Sequence, residues 1–325
     1  MTENLGAGLQ HNRPIARAPN GGSPGNDPPP NRAGGSGSDG NRRDPRLLAA
    51  EKETRRLART HYENFLVASV LLPRRLHQPF VNVYAFCRTA DDLADESATA
   101  PLALQQLEAF QQKLDAVFEG DPGEGLFLAL RHTVEQFQLA KQPFDDLLDA
   151  FRQDQRKSRY ETFGEVLDYC RRSANPVGRM VLTLAQCDDD GNAKLSDSIC
   201  TGLQLANFLQ DIAEDYQRGR IYLPADQMDR FGVAEAMFGQ TPTPRPMRTW
   251  LSEECERAEG FLRAGLPLAD RVPRWFAGNV RLFAHGGLAT LDAIRRIDFD
   301  VLSVRPTVSK TAQLSLLVRA AFRLL

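Results

Sequence analysis

The sequence predicts an all-α protein, built as one helical domain behind a polar N-terminal segment. From Pro45 onward, apolar residues recur at three- and four-residue spacing, which is the period of amphipathic helices. Short segments that contain proline or glycine separate these predicted helices. Alternating apolar and polar runs bounded by hairpin turns, which would predict strands, are absent from the sequence. A domain of many helices places a ligand in a cavity among facing helices.

Residues 1–44 differ from the rest of the chain in composition. They are rich in Gly, Pro, Asn and Ser and contain no Phe, Trp or Tyr. Such a segment buries too little apolar surface to offset the entropy lost on ordering. We therefore expect residues 1–44 to be disordered and residues 45–325 to form the helical domain.

The overall composition excludes several classes of protein. The net charge of −2 in 325 residues gives no basis for a nucleic-acid partner. The five cysteines form no CxxC pair, which favours a reducing compartment over a disulfide framework or a structural zinc site. No apolar run approaches the ~18 residues that span a membrane, and the N-terminus lacks the apolar core of a signal peptide. We expect a cytoplasmic protein. The apolar residues 314–325 could contact the inner membrane face, but we favour their packing onto the helical bundle.

The first acidic cluster is centred on Asp91 and Asp95. Residues four apart on a helix share a face, with Cβ atoms about 6 Å apart, so these carboxylates repel each other. Mg²⁺ binds carboxylate oxygens and shares phosphate oxygens, and Arg88, three residues before Asp91, suits a phosphate. Taken alone, the stretch favours a solvated acidic helix end over a metal site.

The second acidic cluster changes that balance. Asn207, Asp211 and Asp215 form a stripe of oxygen ligands on a helix predicted to run over residues 196–217. Arg218 and Arg220 follow directly. Two such stripes, each with arginine nearby, favour one site that binds a diphosphate through two or three Mg²⁺ ions.

These stretches resemble a known family. Residues 84–95 and 207–224 are similar to the two aspartate-rich motifs of the squalene/phytoene synthases, and the resemblance runs from about residue 61 to the C-terminus. It implies an isoprenoid-synthase helical bundle around a central cavity. Within the family, residues 63–65, 71–76, 151–155, 170–178 and 286–289 are most similar to the bacterial hydroxysqualene synthases of the hopanoid pathway.

The resemblance also implies roles for the charged residues. The positions that match the family's Mg²⁺-binding motifs are Asp91, Asp95, Asn207, Asp211 and Asp215. Arg88 matches the arginine that contacts the diphosphate, and we expect Arg220 to be a further substrate contact.

Other matched positions concern the hydrocarbon part of the substrate. Tyr84 and Tyr169 match tyrosines near the reacting carbons, and Asp154 matches an acidic residue on a neighbouring helix. Phe65 and Phe208 would line the hydrocarbon tunnel. Aromatic faces can stabilise a carbocation, although each of these rings could equally serve core packing.

The resemblance implies Mg²⁺-dependent conversion of presqualene diphosphate to hydroxysqualene, with handover to other squalene-pathway enzymes. No GxGxxG motif follows a strand, and we expect no NADPH requirement, although helical members of the family can bind NADPH without that motif. Gln210 stands where many relatives have arginine, which weakens a phytoene synthase assignment. Synthesis of presqualene diphosphate, NADPH-dependent squalene synthesis, phytoene synthesis and a catalytically inert assembly subunit remain alternatives.

Overall fold

Every regular element in the computed structural model is a helix, within the residues it describes: 44–60, 72–121 and 123–321. In chain order the α-helices are α1 Pro45–Thr60, α2 Arg74–Asp95, α3 Ala100–Glu119, α4 Gly125–Phe137, α5 Gln142–Asp154, α6 Phe163–Ser173, α7 Asn175–Leu184, α8 Asp190–Gln210, α9 Ile212–Gln217, α10 Ala225–Arg230, α11 Arg245–Gly265, α12 Leu268–Arg271, α13 Arg274–Arg296 and α14 Lys310–Ala321. One turn of 3₁₀ helix covers Glu235–Gly239. The all-α prediction is confirmed.

The described helices belong to one compact unit, residues 43–325. The prediction of disorder for residues 1–44 lies outside the described residues, apart from Asp44. None of the described helices is both long and apolar enough to cross a membrane. The last helix, α14, packs against α13 and buries Ala320, while Leu314 and Val318 are exposed.

Local capping explains where several helices begin. The side chains of Thr99, Thr162 and Asp189 each accept a hydrogen bond from a backbone N–H in the first turn of α3, α6 and α8, respectively. The cap at Asp189 starts α8 at Asp190, six residues before the predicted helix start at residue 196.

The prediction of one helix over residues 196–217 is wrong at Asp211. There the backbone leaves helical geometry, with φ −105° and ψ 14°, and α9 begins at the next residue. The turn spacing survives, because the Asp211 N–H donates to the Asn207 carbonyl at 2.9 Å and the Asp215 N–H donates to the Asp211 carbonyl at 2.8 Å. The three oxygen-bearing side chains therefore still follow one another by single turns.

The two acidic clusters lie on central helices with different neighbours. Helix α2 packs against α1, α3, α4 and α5, around an apolar cluster that includes Phe86, Phe110 and Phe144. Helix α8 packs against α7, α11 and α13, around a second cluster that includes Trp250 and Leu262. Each acidic cluster is thus held by its own apolar core.

Close helix packing depends on glycine at Gly202. A Cβ atom there would lie 2.8 Å from Cγ and 2.9 Å from the backbone nitrogen of Leu262 on α11. Real Cβ contacts are longer, so glycine allows α8 and α11 to approach this closely. By contrast, Gly260 on α11 has open space where a Cβ would stand.

These two glycines form a matched pair for a stability test. Gly202→Ala should lower the free energy of unfolding by about 1–3 kcal/mol, because α11 must move away. Gly260→Ala should leave it unchanged or raise it by up to about 1 kcal/mol, because alanine favours the helix. Denaturant unfolding of both variants measures the difference. Equal effects would contradict the packing argument.

Candidate active site

The two acidic clusters line one cavity of about 400 Å³. Helices α2, α5, α6, α7, α8 and α9 and the segment after α9 form its walls. The predicted site residues that line it are Tyr84, Arg88, Asp91, Asp95, Asp154, Tyr169, Asn207, Phe208, Asp211, Asp215 and Arg220. Phe65 lies outside the described residues. All predicted site residues within the described ranges therefore meet at one cavity.

The first carboxylate pair is partly withdrawn from water. Burial, reinforced by the charge of Asp95, raises the pKa of Asp91 from its ordinary value to about 6. Arg88 opposes this effect by donating to Asp91 at 2.9 Å, and it also pairs with Asp92. The helix therefore carries its own cation beside its acidic stripe.

The second carboxylate pair shows the same balance. Burial, reinforced by the charge of Asp211, raises the pKa of Asp215 to about 7. Asn207 donates from its side-chain amide to Asp211. The Arg305 guanidinium contacts the same carboxylate at 2.7 Å. Arg305 reaches the site because the Gln210 amide donates to the Pro306 carbonyl at 2.6 Å and holds that loop against the end of α8.

Arg220 connects the second acidic region to the first. Its guanidinium donates to Asp95 at 3.0 Å, and Arg218 approaches the same carboxylate at 3.6 Å. Gly219 lies between the two arginines with φ +79°, which is the left-handed conformation that favours glycine. This turn brings the chain after α9 back across the cavity entrance to α2.

A buried hydrogen-bond network lies beside the acidic entrance. The Tyr169 hydroxyl donates to Asp154 at 2.6 Å, and the Tyr222 hydroxyl donates to the other oxygen of Asp154 at 3.1 Å. Burial raises the pKa of Asp154 to about 6 even though both hydroxyls lower it. Burial and the nearby Asp154 charge raise the pKa values of both tyrosines, so their hydroxyls stay protonated donors.

Tyr222 is a site residue that the sequence analysis missed. Its ring stacks on Phe208 with centroids 4.3 Å apart and planes 5° apart, and its centroid lies 5.4 Å from that of Tyr169. Two backbone contacts hold its strand-like segment: the Ile221 N–H donates to Ser158, and Pro224 pairs with Tyr160. Its position two residues after Arg220, a predicted substrate contact, was the sequence signal that could have identified it.

The carboxylates suit Mg²⁺ that is shared with a phosphate ligand. No group of three or more His, Cys, Asp or Glu residues in the described ranges is close enough to enclose a metal by itself. Mg²⁺ usually takes only one or two carboxylates and completes its shell with phosphate oxygens and water. The two pairs fit that pattern, because in each pair burial and the charge of the neighbouring carboxylate destabilise one ionised aspartate, and both pairs face the same cavity.

Residues 58–312 match the profile of the squalene/phytoene synthases, and the chain belongs to this family. Phytoene synthase 3, chloroplastic, of Zea mays is 30% identical over 286 residues, which cover 85% of this chain and 66% of the maize protein. The 15-cis-phytoene synthase of Synechocystis is 29% identical over 272 residues, which cover 79% of this chain and 80% of that protein. The chain thus spans just under two thirds of the length of the maize relative.

Solved structures confirm the isoprenoid-synthase helical fold. Squalene synthase HpnC from Alicyclobacillus acidocaldarius is 40% identical, with a TM-score of 0.75 over 78% of this chain and 96% of that one. A dehydrosqualene synthase in complex with ligand is 26% identical, with a TM-score of 0.78 over 86% of this chain and 97% of that one.

The raised carboxyl pKa values predict how stability depends on pH. The pKa of Asp215 rises from 3.8 to about 7 on folding, so its contribution to stability is complete below about pH 4 and is lost as pH rises through about 7. Asp215→Asn should therefore raise the Tm of the metal-free protein by about 2–6 °C at about pH 8 and change it little at about pH 4.

Scanning calorimetry in a chelating buffer measures this effect. The exposed Asp229 provides the matched control, since Asp229→Asn should change Tm little at either pH. An equal rise for Asp215→Asn at both pH values would contradict the assignment.

Proposed function

We propose that this protein converts presqualene diphosphate to hydroxysqualene, with loss of diphosphate and with Mg²⁺ as cofactor. The observation that carries the proposal is the single cavity that joins two acidic pairs to an aromatic wall and to the Asp154 network. The first feature suits a diphosphate leaving group, and the second suits the hydrocarbon cation that its loss creates. The likeness to squalene synthase HpnC, at 40% identity, favours the squalene branch of the family.

The acidic entrance would neutralise the leaving group. Asp91 and Asp95 would hold Mg²⁺ on one side, and Asp211 and Asp215, with Asn207, would hold it on the other. Bound Mg²⁺ supplies electrophilic stabilisation of the departing diphosphate. Arg88 and Arg220 already lie at this entrance as ion-pair partners of Asp91 and Asp95, and guanidinium groups bind phosphate oxygens bidentately.

The aromatic wall would protect and guide the cation. Phe208, Tyr222 and Tyr169 lie with ring centroids 4.3–6.0 Å apart, and Tyr84 lines the same cavity. Aromatic faces attract positive charge, and an apolar wall limits water to the positions where a polar group holds it. Tyr169 and Tyr222 are themselves held by Asp154, which orients their rings.

The alternatives keep the same residues and differ in the product. The phytoene synthase relatives, near 30% identity, favour a phytoene synthase as the second candidate. Gln210 weighs against it, since its amide is used to hold the Arg305 loop. Presqualene diphosphate synthesis and NADPH-dependent squalene synthesis require only a different substrate or a reductant. An inert assembly subunit is disfavoured because both acidic pairs face one cavity.

We also propose a cytoplasmic location, with product handed to other squalene-pathway enzymes. The exposed Leu314 and Val318 on α14 are where the protein would touch the inner membrane face as a peripheral contact.

Product analysis tests the proposed reaction. Purified protein incubated with presqualene diphosphate and Mg²⁺ should release hydroxysqualene, identified by mass spectrometry, in equal amounts with and without NADPH. Omission of Mg²⁺ should abolish product formation. The proposal would be overturned if squalene formed only with NADPH. It would also be overturned if the protein turned over another prenyl diphosphate but not presqualene diphosphate.

Substitutions test the metal-binding role of the acidic pairs. Asp91→Ala and Asp211→Ala should each lower turnover by about 10²–10³-fold, because one carboxylate of each pair is lost at the developing charge. The helical circular dichroism signal should be retained, since both side chains lie on the cavity wall. Asp229→Ala, at an exposed position, is the control and should keep near-normal activity. Normal turnover in either site variant would exclude that role.

A further inference from the structure

The Ser173 hydroxyl lies on the cavity wall, apart from the ion pairs of the acidic clusters and from the hydrogen bonds to Asp154. Ser173 is the last residue of α6 and lines the same cavity as the acidic pairs. Its Oγ atom is buried and has no hydrogen-bond partner among residues 44–60, 72–121 and 123–321. A buried hydroxyl without a partner is unfavourable, so an unpartnered one on a ligand cavity indicates that a ligand or water supplies the partner.

Several other helical hydroxyls in this protein donate to a backbone carbonyl of their own helix. Ser198 donates to the carbonyl of Lys194, four residues earlier, at 3.2 Å, and Thr249 donates to that of Arg245 at the same distance. Thr183 and Thr290 do the same. This is the usual local bond of serine and threonine within helices. Ser173 makes no such bond, which leaves its hydroxyl available.

The position of Ser173 relates it to the reacting part of the substrate. Tyr169, four residues earlier on α6, shares its helix face and carries the hydroxyl that donates to Asp154. Leu147, Phe151 and Val177 line the same cavity and offer no polar side-chain atom. A hydroxyl one turn from Tyr169 therefore lines the same cavity as these apolar side chains, where the proposed cation would react.

We propose that Ser173 holds the water molecule that captures the cation, and thereby selects an alcohol as product. This inference rests on the proposed function. Because Ser173 lines the cavity, the proposal requires that rotation about its Cα–Cβ bond turn the recessed Oγ atom toward it, where a hydroxyl can both donate to and accept from one water.

The step balances without a further reactant. Diphosphate leaves with the electron pair of its C–O bond, and a lone pair of the water oxygen forms the new C–O bond. One O–H bond of that water then breaks, and its proton goes to the released diphosphate. In the competing step the cation loses a proton from carbon to the same diphosphate and becomes an unsaturated hydrocarbon. Water held at Ser173 favours the first outcome.

Three substitutions test this role through the ratio of products. Ser173→Ala should lower the ratio of alcohol to hydrocarbon by about tenfold, the factor expected from one lost hydrogen bond to a reacting group. Consumption of presqualene diphosphate should stay within about threefold of wild type, because the acidic pairs are untouched. Ser173→Thr keeps a hydroxyl and should restore the ratio. Ser198→Ala removes a helical hydroxyl outside the cavity and should leave the ratio unchanged.

The measurement is mass spectrometry of products formed in ¹⁸O-labelled water, with a thermal melt of each variant. A purely structural role would lower turnover and Tm without changing the ratio of products. If Ser173→Ala does not fold, Ser173→Cys, which is closer in size and a weaker hydrogen-bonding group, should show the same direction of change.

An unchanged ratio in a folded Ser173 variant overturns the inference while leaving the proposed function intact. If wild type forms no alcohol at all, the proposed function fails first, and Ser173 fails with it.

Discussion

The electrostatic balance across the cavity entrance is the constraint on which the site depends. Four aspartates converge on a region partly withdrawn from water, and two of them have pKa values raised to about 6 and about 7. Arginines from α2, from the turn after α9 and from the loop before α14 supply the compensating charge. Removing ions from water is costly, so neither set would be stable there alone. The same arrangement that makes the folded protein tolerate these charges also makes it suited to a polyanion with divalent metal.

The position of each charge is fixed by packing some distance away from it. Asp91 and Asp95 are held because the opposite face of α2 is buried among phenylalanines, and the second acidic stripe is held because α8 packs closely on α11 at Gly202. The apolar cores therefore do more than stabilise the fold. They prevent two mutually repelling stripes from moving apart, and so keep them on one cavity.

Much of this could be predicted from residue spacing. The four-residue intervals of Asp91–Asp95 and of Asn207–Asp211–Asp215 are local properties, and a helix converts them directly into shared faces. The break at Asp211 was not predictable, because good helix formers surround it and the hydrogen bonds that keep its turn spacing survive the break. The Arg220–Asp95 contact joins residues 125 apart, and Tyr222 joins Asp154 across 68 residues; only the tertiary fold brings such pairs together. Ser173 was missed for a different reason, since its significance lies in a bond that it does not make.

The turn at Gly219 creates an ion pair through which the binding of two ligands is linked. It places Arg220 on Asp95, so the segment that also carries Tyr222 is tied to α2 by an ion pair. A polyanion that recruits this guanidinium competes with that tie, and a cation that takes the carboxylate competes with it from the other side. If only one ligand binds, either Arg220 or Asp95 loses its ion-pair partner. If the polyanion and the cation both bind, Arg220 and Asp95 each have a new partner. Metal and anion should therefore bind with positive cooperativity, each increasing the affinity for the other by the same factor.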